Sequence, residues 1–261
     1  MITTKCTVQL CVLGLLAATF GAPCAESEMS VDTILQLNLK AVRGNSEIGR
    51  IQTTDMTLSI SEADYSLIAR YRAADDGVMR IDVFADGQRV FSEGKDGLGV
   101  WEWPGGQDAP KDVTHEGAAA LEHGVEFNLF PLAELIGRGH SIDLVGREEI
   151  RGNHYFVLMI TLSDGFETYR YINEETWLVE ISRDYRALHP GNDATKKSME
   201  TRYDQFRRTD GILSAGRSRD FEQSSDQAIQ TMLVLDAKYN VPRAGLDLDR
   251  SYVPDGPPRV Q

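Results

Sequence analysis

The sequence predicts a mainly β protein with a few helices, built on a single strongly curved antiparallel sheet that forms an incomplete barrel. Three observations predict it. Apolar and polar residues alternate at period two through most of residues 56–104 and 141–237. Asp-Gly pairs at 86–87, 96–97, 164–165 and 210–211 punctuate that alternation, which is the chemistry of tight hairpins rather than of βαβ crossovers. Helical patterning is confined to the start and the middle of the chain. About eleven strands follow from this count, with short helices capping the concave side. A closed, lipocalin-like barrel is the nearest alternative, and the helical insertion between the two strand groups favours the open, capped form.

The composition of the 261 residues, 41% hydrophobic and 26% charged, is that of an ordinary globular chain rather than a disordered or fibrous one. A formal charge of −13 argues against a nucleic-acid partner, because a phosphate backbone is held by clustered Lys and Arg. After the N-terminal segment, no apolar run approaches the about 18 residues that a membrane-spanning helix needs.

Residues 1–25 read as a secretory signal peptide. Lys5 precedes an almost uncharged apolar stretch from Cys6 to Phe20, followed by Gly21, Ala22, Pro23, Cys24 and Ala25. Cleavage after Ala25 leaves residues 26–261 as one domain with a net charge of −14, since only Lys5 is removed. Lipidation at Cys24 is the weaker alternative, as Pro23 fills the place of a small residue. All three cysteines fall in this segment, so the remaining chain must be held by packing. An exported, acidic, cysteine-free domain suits the periplasm of a Gram-negative bacterium.

Residues 30–44 predict the first helix, with Ser30 as N-cap, apolar Val31, Ile34, Leu35 and Val42, and Gly44 as the stop. Met56, Leu58 and Ile60 then share one strand face, followed by Tyr65, Leu67, Ala69 and Tyr71, and by Met79, Ile81, Val83 and Ala85 before the turn at Asp86-Gly87. Another strand runs from Leu98 to Pro104. Residues 105–115 form a Pro/Gly/Asp loop, and two short helices are expected over 116–123 and 131–136. Leu121, Phe127, Leu129, Phe130, Leu132, Leu135 and Ile136 make this insertion too apolar for a free loop, so it covers something. Strands resume at Ser141. Residues 154–162 are apolar on both faces and are expected to be central in the sheet. Further strands cover 167–172, 177–185, 199–206, 212–221 and 228–237, before a proline-containing tail from Asn240.

Several of these segments resemble the outer-membrane lipoprotein-sorting family with the LolA/LolB-like fold. They are DGLGVWEWP at 96–104, the hairpin VLMITLSDGFETYRYI at 157–172, and TRYDQFRRTDGILSAG at 201–216. Asp96, Gly97, Trp101, Trp103 and Pro104 stand in the places of the family's half-barrel strand motif. Tyr203, Asp204, Asp210 and Gly211 match its late strands, and Asn240, Leu246 and Pro254 follow its closing pattern. Ser214 and Ala215 stand where relatives often carry a proline. The resemblance spans most of residues 30–254 and implies a periplasmic carrier, acting as a monomer, that binds lipid or lipoprotein acyl chains in a concave apolar cavity. A membrane-embedded donor and an outer-membrane acceptor would be its partners. The alternative is a lipid- or lipoprotein-sensing regulatory module on the same fold.

On that reading the candidate ligand-binding residues are Met79, Ile81, Val83, Trp101 and Trp103 on the sheet, with Phe130, Leu132, Leu135 and Ile136 in the insertion. Trp101 and Trp103, two residues apart, project from one face of their strand. Catalytic and metal chemistry is not suggested. His115, His123, His140, His154 and His189 lack zinc-site spacing, no nucleophile elbow or phosphate loop is present, and the acid pairs Asp75-Asp76, Glu148-Glu149 and Glu174-Glu175 sit beside turns as solvated carboxylates do. No cofactor is expected.

Overall fold

In the structure of the chain, a computed structural model that describes residues 29–44, 50–191 and 193–258, the first helix forms where its caps place it. α1 spans Val31–Arg43, the Thr33 amide donates to Ser30 Oγ at 3.2 Å, and Gly44, at φ 58°, donates its amide to Lys40 O at 2.7 Å. Asp32 in the first turn and Lys40 and Arg43 in the last complement the helix dipole. Ile34 and Leu35 are buried, and Asn38 Nδ2 donates to Trp177 O at 2.7 Å, pinning the helix to the sheet. The expected signal peptide lies outside the described residues.

Six strands follow as consecutive antiparallel neighbours: β1 (Thr53–Glu62), β2 (Tyr65–Ala74), β3 (Met79–Ala85), β4 (Gln88–Asp96), β5 (Gly99–Pro104) and β6 (Lys111–Asp112). Asp86 and Gly87 both hold positive φ, at 49° and 81°, the backbone that a two-residue hairpin matched to strand twist demands. The insertion comprises α2 (His115–Leu129), α3 (Leu132–Leu135) and a single 3-10 turn over Ile136–Arg138. β7 (Ser141–Ile150), β8 (Asn153–Thr161), β9 (Glu167–Asn173), β10 (Val179–Arg186) and β11 (Lys197–Asp204) form a second meander. β12 (Arg207–Thr209) and β13 (Ile212–Ser214) make a separate small hairpin, and β14 (Arg217–Glu222) and β15 (Gln230–Tyr239) return to the main sheet.

That sheet has thirteen strands in the order β6-β5-β4-β3-β2-β1-β15-β14-β11-β10-β9-β8-β7 and is not closed into a barrel. β15 returns to pair with β1 and so joins the two meanders. β6 and β7 are its two edges, so the insertion that connects them crosses from one edge to the other. Apolar residues of β1, β2 and β3 share one core with Phe156, Leu158, Ile160 and Ile172 of the far half and with the helices. The sheet therefore curls around its crossing helices. α2 is tied to both halves, by Glu122 to Lys95 of β4 at 3.2 Å and by His123 Nε2 to Asp164 Oδ2 at 2.7 Å.

Three expectations are corrected in detail. The main sheet has two strands more than the expected eleven. β8 is not central but lies next to the β7 edge. Its outer side chains Tyr155 and Val157 are buried because Tyr171 and Ile181 pack beside them. The first helix of the insertion does not stop at His123. Val125 and Leu129, both buried, continue the apolar stripe of Leu121 at helical spacing and carry the helix through Gly124.

The outer face of β2 to β5 is also covered. Arg72 and Arg80 are fully buried there and both pair with Asp82. Ser92 Oγ donates to Asp82 Oδ1 at 2.5 Å. The tail caps this group, with Arg72 Nη1 donating to Leu246 O at 2.9 Å and Arg80 Nη2 to Tyr252 O at 2.7 Å. Arg250 fastens the tail to Asp96 through two hydrogen bonds of 2.6 and 2.7 Å.

Candidate functional site

The register of the central strands builds an apolar floor on the inner face. Met56 of β1 pairs with Tyr71 of β2, and Tyr71 with Ile81 of β3. Leu58 pairs with Val234 of β15. Paired residues in an antiparallel ladder point to the same side, so these form one continuous surface. Leu39 and Val42 of α1, Phe130 and Leu132 of the insertion, and the β13 hairpin wall it in, leaving a mostly apolar cavity of about 430 Å³. That lies within the range of roughly 300–1,000 Å³ typical of small-ligand sites. The Tyr71 hydroxyl is buried here.

A second cavity of about 420 Å³ lies beside it, under the first turns of α2, and is the more polar of the two, with Glu116, Arg170, Asp184, Arg186 and Lys196 among its lining. Phe127, Asn128, Arg170 and Tyr203 line both, so the two share a wall. Arg170, on the inner face of β9, lies with its guanidinium carbon 4.3 Å from the centre of the Phe127 ring and donates to the Tyr203 hydroxyl at 3.1 Å. The cross-strand row continues through Ser182 and Thr201 to Asp220. Arg186 donates to Asp220 Oδ1 at 2.7 Å and to Thr201 Oγ1 at 3.1 Å. Burial pushes the Asp184 carboxyl above its usual value, although Arg186 and Arg170 oppose this. His123 stacks on Phe166 with ring centres 4.2 Å apart, and its hydrogen bond holds Asp164 below the usual carboxylate range.

No family model matches the sequence, and no curated protein matches it. Solved structures do match its shape. A domain described as that of an outer membrane lipoprotein-sorting protein from Vibrio parahaemolyticus superposes with a TM-score of 0.56 at 11% identity, covering 84% of this chain and 95% of that one. A LolA superfamily protein from Nitrosomonas europaea gives 0.53 at 14% identity, over 82% and 96%. A DUF1329 family protein from Desulfovibrio piger gives 0.53 at 12%, over 83% and 98%. The chain has the LolA-like fold.

Within this LolA-like sheet the expected ligand-binding residues separate into groups. Ile81, Phe130 and Leu132 line the apolar cavity. Met79 and Leu135 are buried in the core beside it, and Val83 packs against that core. Ile136 is 47% exposed, at the start of the 3-10 turn. Trp101 and Trp103 do share a face, but it is the outer one. Trp101 pairs with Gly94 and Gly94 with Arg80, while Trp103 pairs with Ser92 and Ser92 with Asp82. Both rings are therefore on the side away from the cavity, Trp101 beside Arg80 under the tail and Trp103 beneath Arg89, donating its Nε1 hydrogen to Gln107 O at 2.8 Å. A Cβ on Gly94 would come within 2.6 Å of the Trp101 ring, so glycine makes room for it.

The floor residues Met56, Leu58, Met232 and Val234, and the α1 residues Leu39 and Val42, were not among the expected site residues. The first four sit in strands that read as ordinary alternation, and only their place at the β1/β15 seam puts them at the cavity. Arg170 did carry a signal. It is a cation between two tyrosines, on the inner side of an otherwise apolar hairpin.

Proposed function

We propose that the protein is a non-enzymatic carrier that shields acyl chains of a lipid or lipoprotein in the inner-face cavity and moves them between membranes. One observation carries this reading: a mostly apolar cavity of about 430 Å³ between the sheet and helices that cross it from edge to edge. Burying an alkyl chain there would contribute roughly 25 cal/mol per Å² of apolar area removed from water. The lipoprotein-sorting description of the Vibrio domain with the same fold supports it. The reading of residues 1–25 as a signal peptide supports a periplasmic carrier, which would act as a monomer between a membrane-embedded donor and an outer-membrane acceptor.

The test is a titration of delipidated protein with a fluorescent fatty-acyl probe, alongside Ile81→Trp and Val234→Trp, which fill the cavity from its floor. The parent should bind the probe, and each variant that keeps the parent's circular dichroism should bind at least about tenfold more weakly, the effect of about 1.4 kcal/mol. A parent that binds no acyl probe, or folded variants that bind as well as the parent, would remove the carrier reading. Transfer of the bound lipid from donor to acceptor vesicles then separates carriage from mere retention.

A further inference from the structure

We infer that the second, more polar cavity is the head-group subsite of the same ligand, and that it selects a lipid whose head joins a phosphate to a primary amine. The inference rests on the carrier reading and adds the ligand's class. The first ground is adjacency: a charge-lined cavity and a mostly apolar one of nearly equal size share the wall formed by Phe127, Asn128, Arg170 and Tyr203. A single amphipathic molecule matches that division, with its neck beside Phe127 and Tyr203.

The second ground is a set of unused hydrogen-bonding atoms. Arg170 is only 9% exposed, yet its Nε is buried and has no hydrogen-bond partner among the described residues. Arg186 Nη1 and Asp184 Oδ1 are in the same state. Asp184 Oδ1 lies 3.3 Å from Arg186 Nε, close enough for attraction but without hydrogen-bond geometry. Buried polar atoms are seldom left unpaired, because each costs its lost hydration. Two cationic side chains and one anionic side chain, each with an unpaired buried atom, thus line one cavity.

The third ground is charge balance. The charges lining the cavity are Arg170, Arg186 and Lys196 against Glu116 and Asp184, and Asp220 balances the count through its hydrogen bond from Arg186. A head with anionic charge alone would satisfy the guanidinium donors and leave Asp184 facing it. An ammonium beside the phosphate supplies the missing donor, and its charge favours the ionised form of Asp184 that burial opposes. A phosphate on the two arginines, with an amine on Asp184, leaves no charge unpaired.

Three lysolipids with the same acyl chain separate the contributions: lysophosphatidylethanolamine, with phosphate and amine; lysophosphatidylglycerol, with phosphate alone; and monoacylglycerol, with neither. Measured with unmodified protein below the lipids' micellar concentrations, affinity should fall in that order, by about tenfold at each step, as for one charge-assisted hydrogen bond. Asp184→Asn keeps the shape and removes the charge, and should abolish the first step while leaving the second. Arg170→Gln should abolish the second. Because Arg170 packs on Phe127, that variant could fail to fold, and the comparison in the unmodified protein decides the matter without it. Equal binding of all three lipids would overturn the head-group subsite while leaving the carrier reading intact. Tighter binding of lysophosphatidylglycerol, or an amine preference surviving in a folded Asp184→Asn, would overturn the zwitterionic selection. Failure of every acyl lipid to bind would remove both readings.

Discussion

The guanidinium carbon of Arg80 stands 5.3 Å from the centre of the Trp101 ring, on the sheet face turned away from the cavity. Arg80 is fully buried and so is Trp101, and desolvated cation–π pairs are among the stronger ones. This contact belongs to the packing of the tail against β2 to β5, and it puts the Trp101 ring on the opposite side of the sheet from the cavity.

Trp101→Ala is accordingly expected to cost about 3–5 kcal/mol of stability, as large-to-small changes of buried aromatics do. Acyl-probe affinity, measured per folded molecule, should be unchanged. Chemical denaturation gives the first quantity and titration below the transition the second. Weakened binding with unaltered stability would contradict the placement of the ring.

Asp82 is the one carboxylate shared by Arg72 and Arg80 in a site with almost no solvent contact. Asp82→Asn keeps the size of the side chain but leaves two buried cations without their anion, so a loss of about 3–5 kcal/mol is expected. A melting temperature within a degree or two of the parent's would contradict the burial of this group.

Glu93 lies on the inner face, paired with Ile81 and with Glu102. Burial and the neighbouring Glu102 charge push its pKa up to about 7. The folded state therefore keeps a proton that the unfolded chain loses above the ordinary glutamate value of 4.5. Stability is greatest below that value and falls as pH rises towards 7. Glu93→Gln should be as stable as the parent at pH 4 and more stable by roughly 2–3 kcal/mol at pH 8. Denaturant midpoints at the two pH values check this, and a difference that does not change with pH would refute it.

Glu126 has the opposite sign. Burial opposes its charge, but hydrogen bonds from Arg138 and His140 outweigh burial and lower its pKa. Arg138 donates twice, at 2.6 and 2.7 Å, joining α2 to the turn after α3. The contribution to stability is complete above 4.5 and is lost as pH falls through the lower, folded-state pKa. Protection of the α2 amides, relative to their intrinsic exchange rates, should fall below pH 4.5, and Arg138→Ala should lower it already at pH 7. Equal protection in parent and variant at pH 7 would show that this anchor does not hold the helix.

How much of this was legible beforehand depends on the range of the interaction. α1 is written locally in Ser30 and Gly44, and the Asp86-Gly87 hairpin in two residues that tolerate positive φ. The shared face of Trp101 and Trp103 follows from strand geometry, but which face it is does not, because period two is blind to the identity of each side. That choice was set by Gly94, Ser92 and the distant tail. The position of β8 is hidden from the sequence for a related reason: burial on both faces can come from a neighbouring outer cluster as readily as from a central place. Of the site, the insertion's Phe130 and Leu132 were legible as apolar residues in need of cover. The β1/β15 half of the cavity was not, since no local pattern announces which strands meet across the length of a chain.

The seam between β1 and β15 also dictates the order in which the molecule can assemble. Gln52 donates its amide to Asn240 Oδ1 at 2.7 Å, across a sequence separation of 188 residues. Either meander can zip up from its own hairpins as soon as its strands have been synthesised. The joint between them must wait for β15, and closing so long a loop is entropically slow. Until then both halves present apolar inner faces and unpaired strand edges, the features that invite aggregation. The interval between emergence of β1 and arrival of β15 is thus the vulnerable period in the life of this chain, set by topology rather than by final stability.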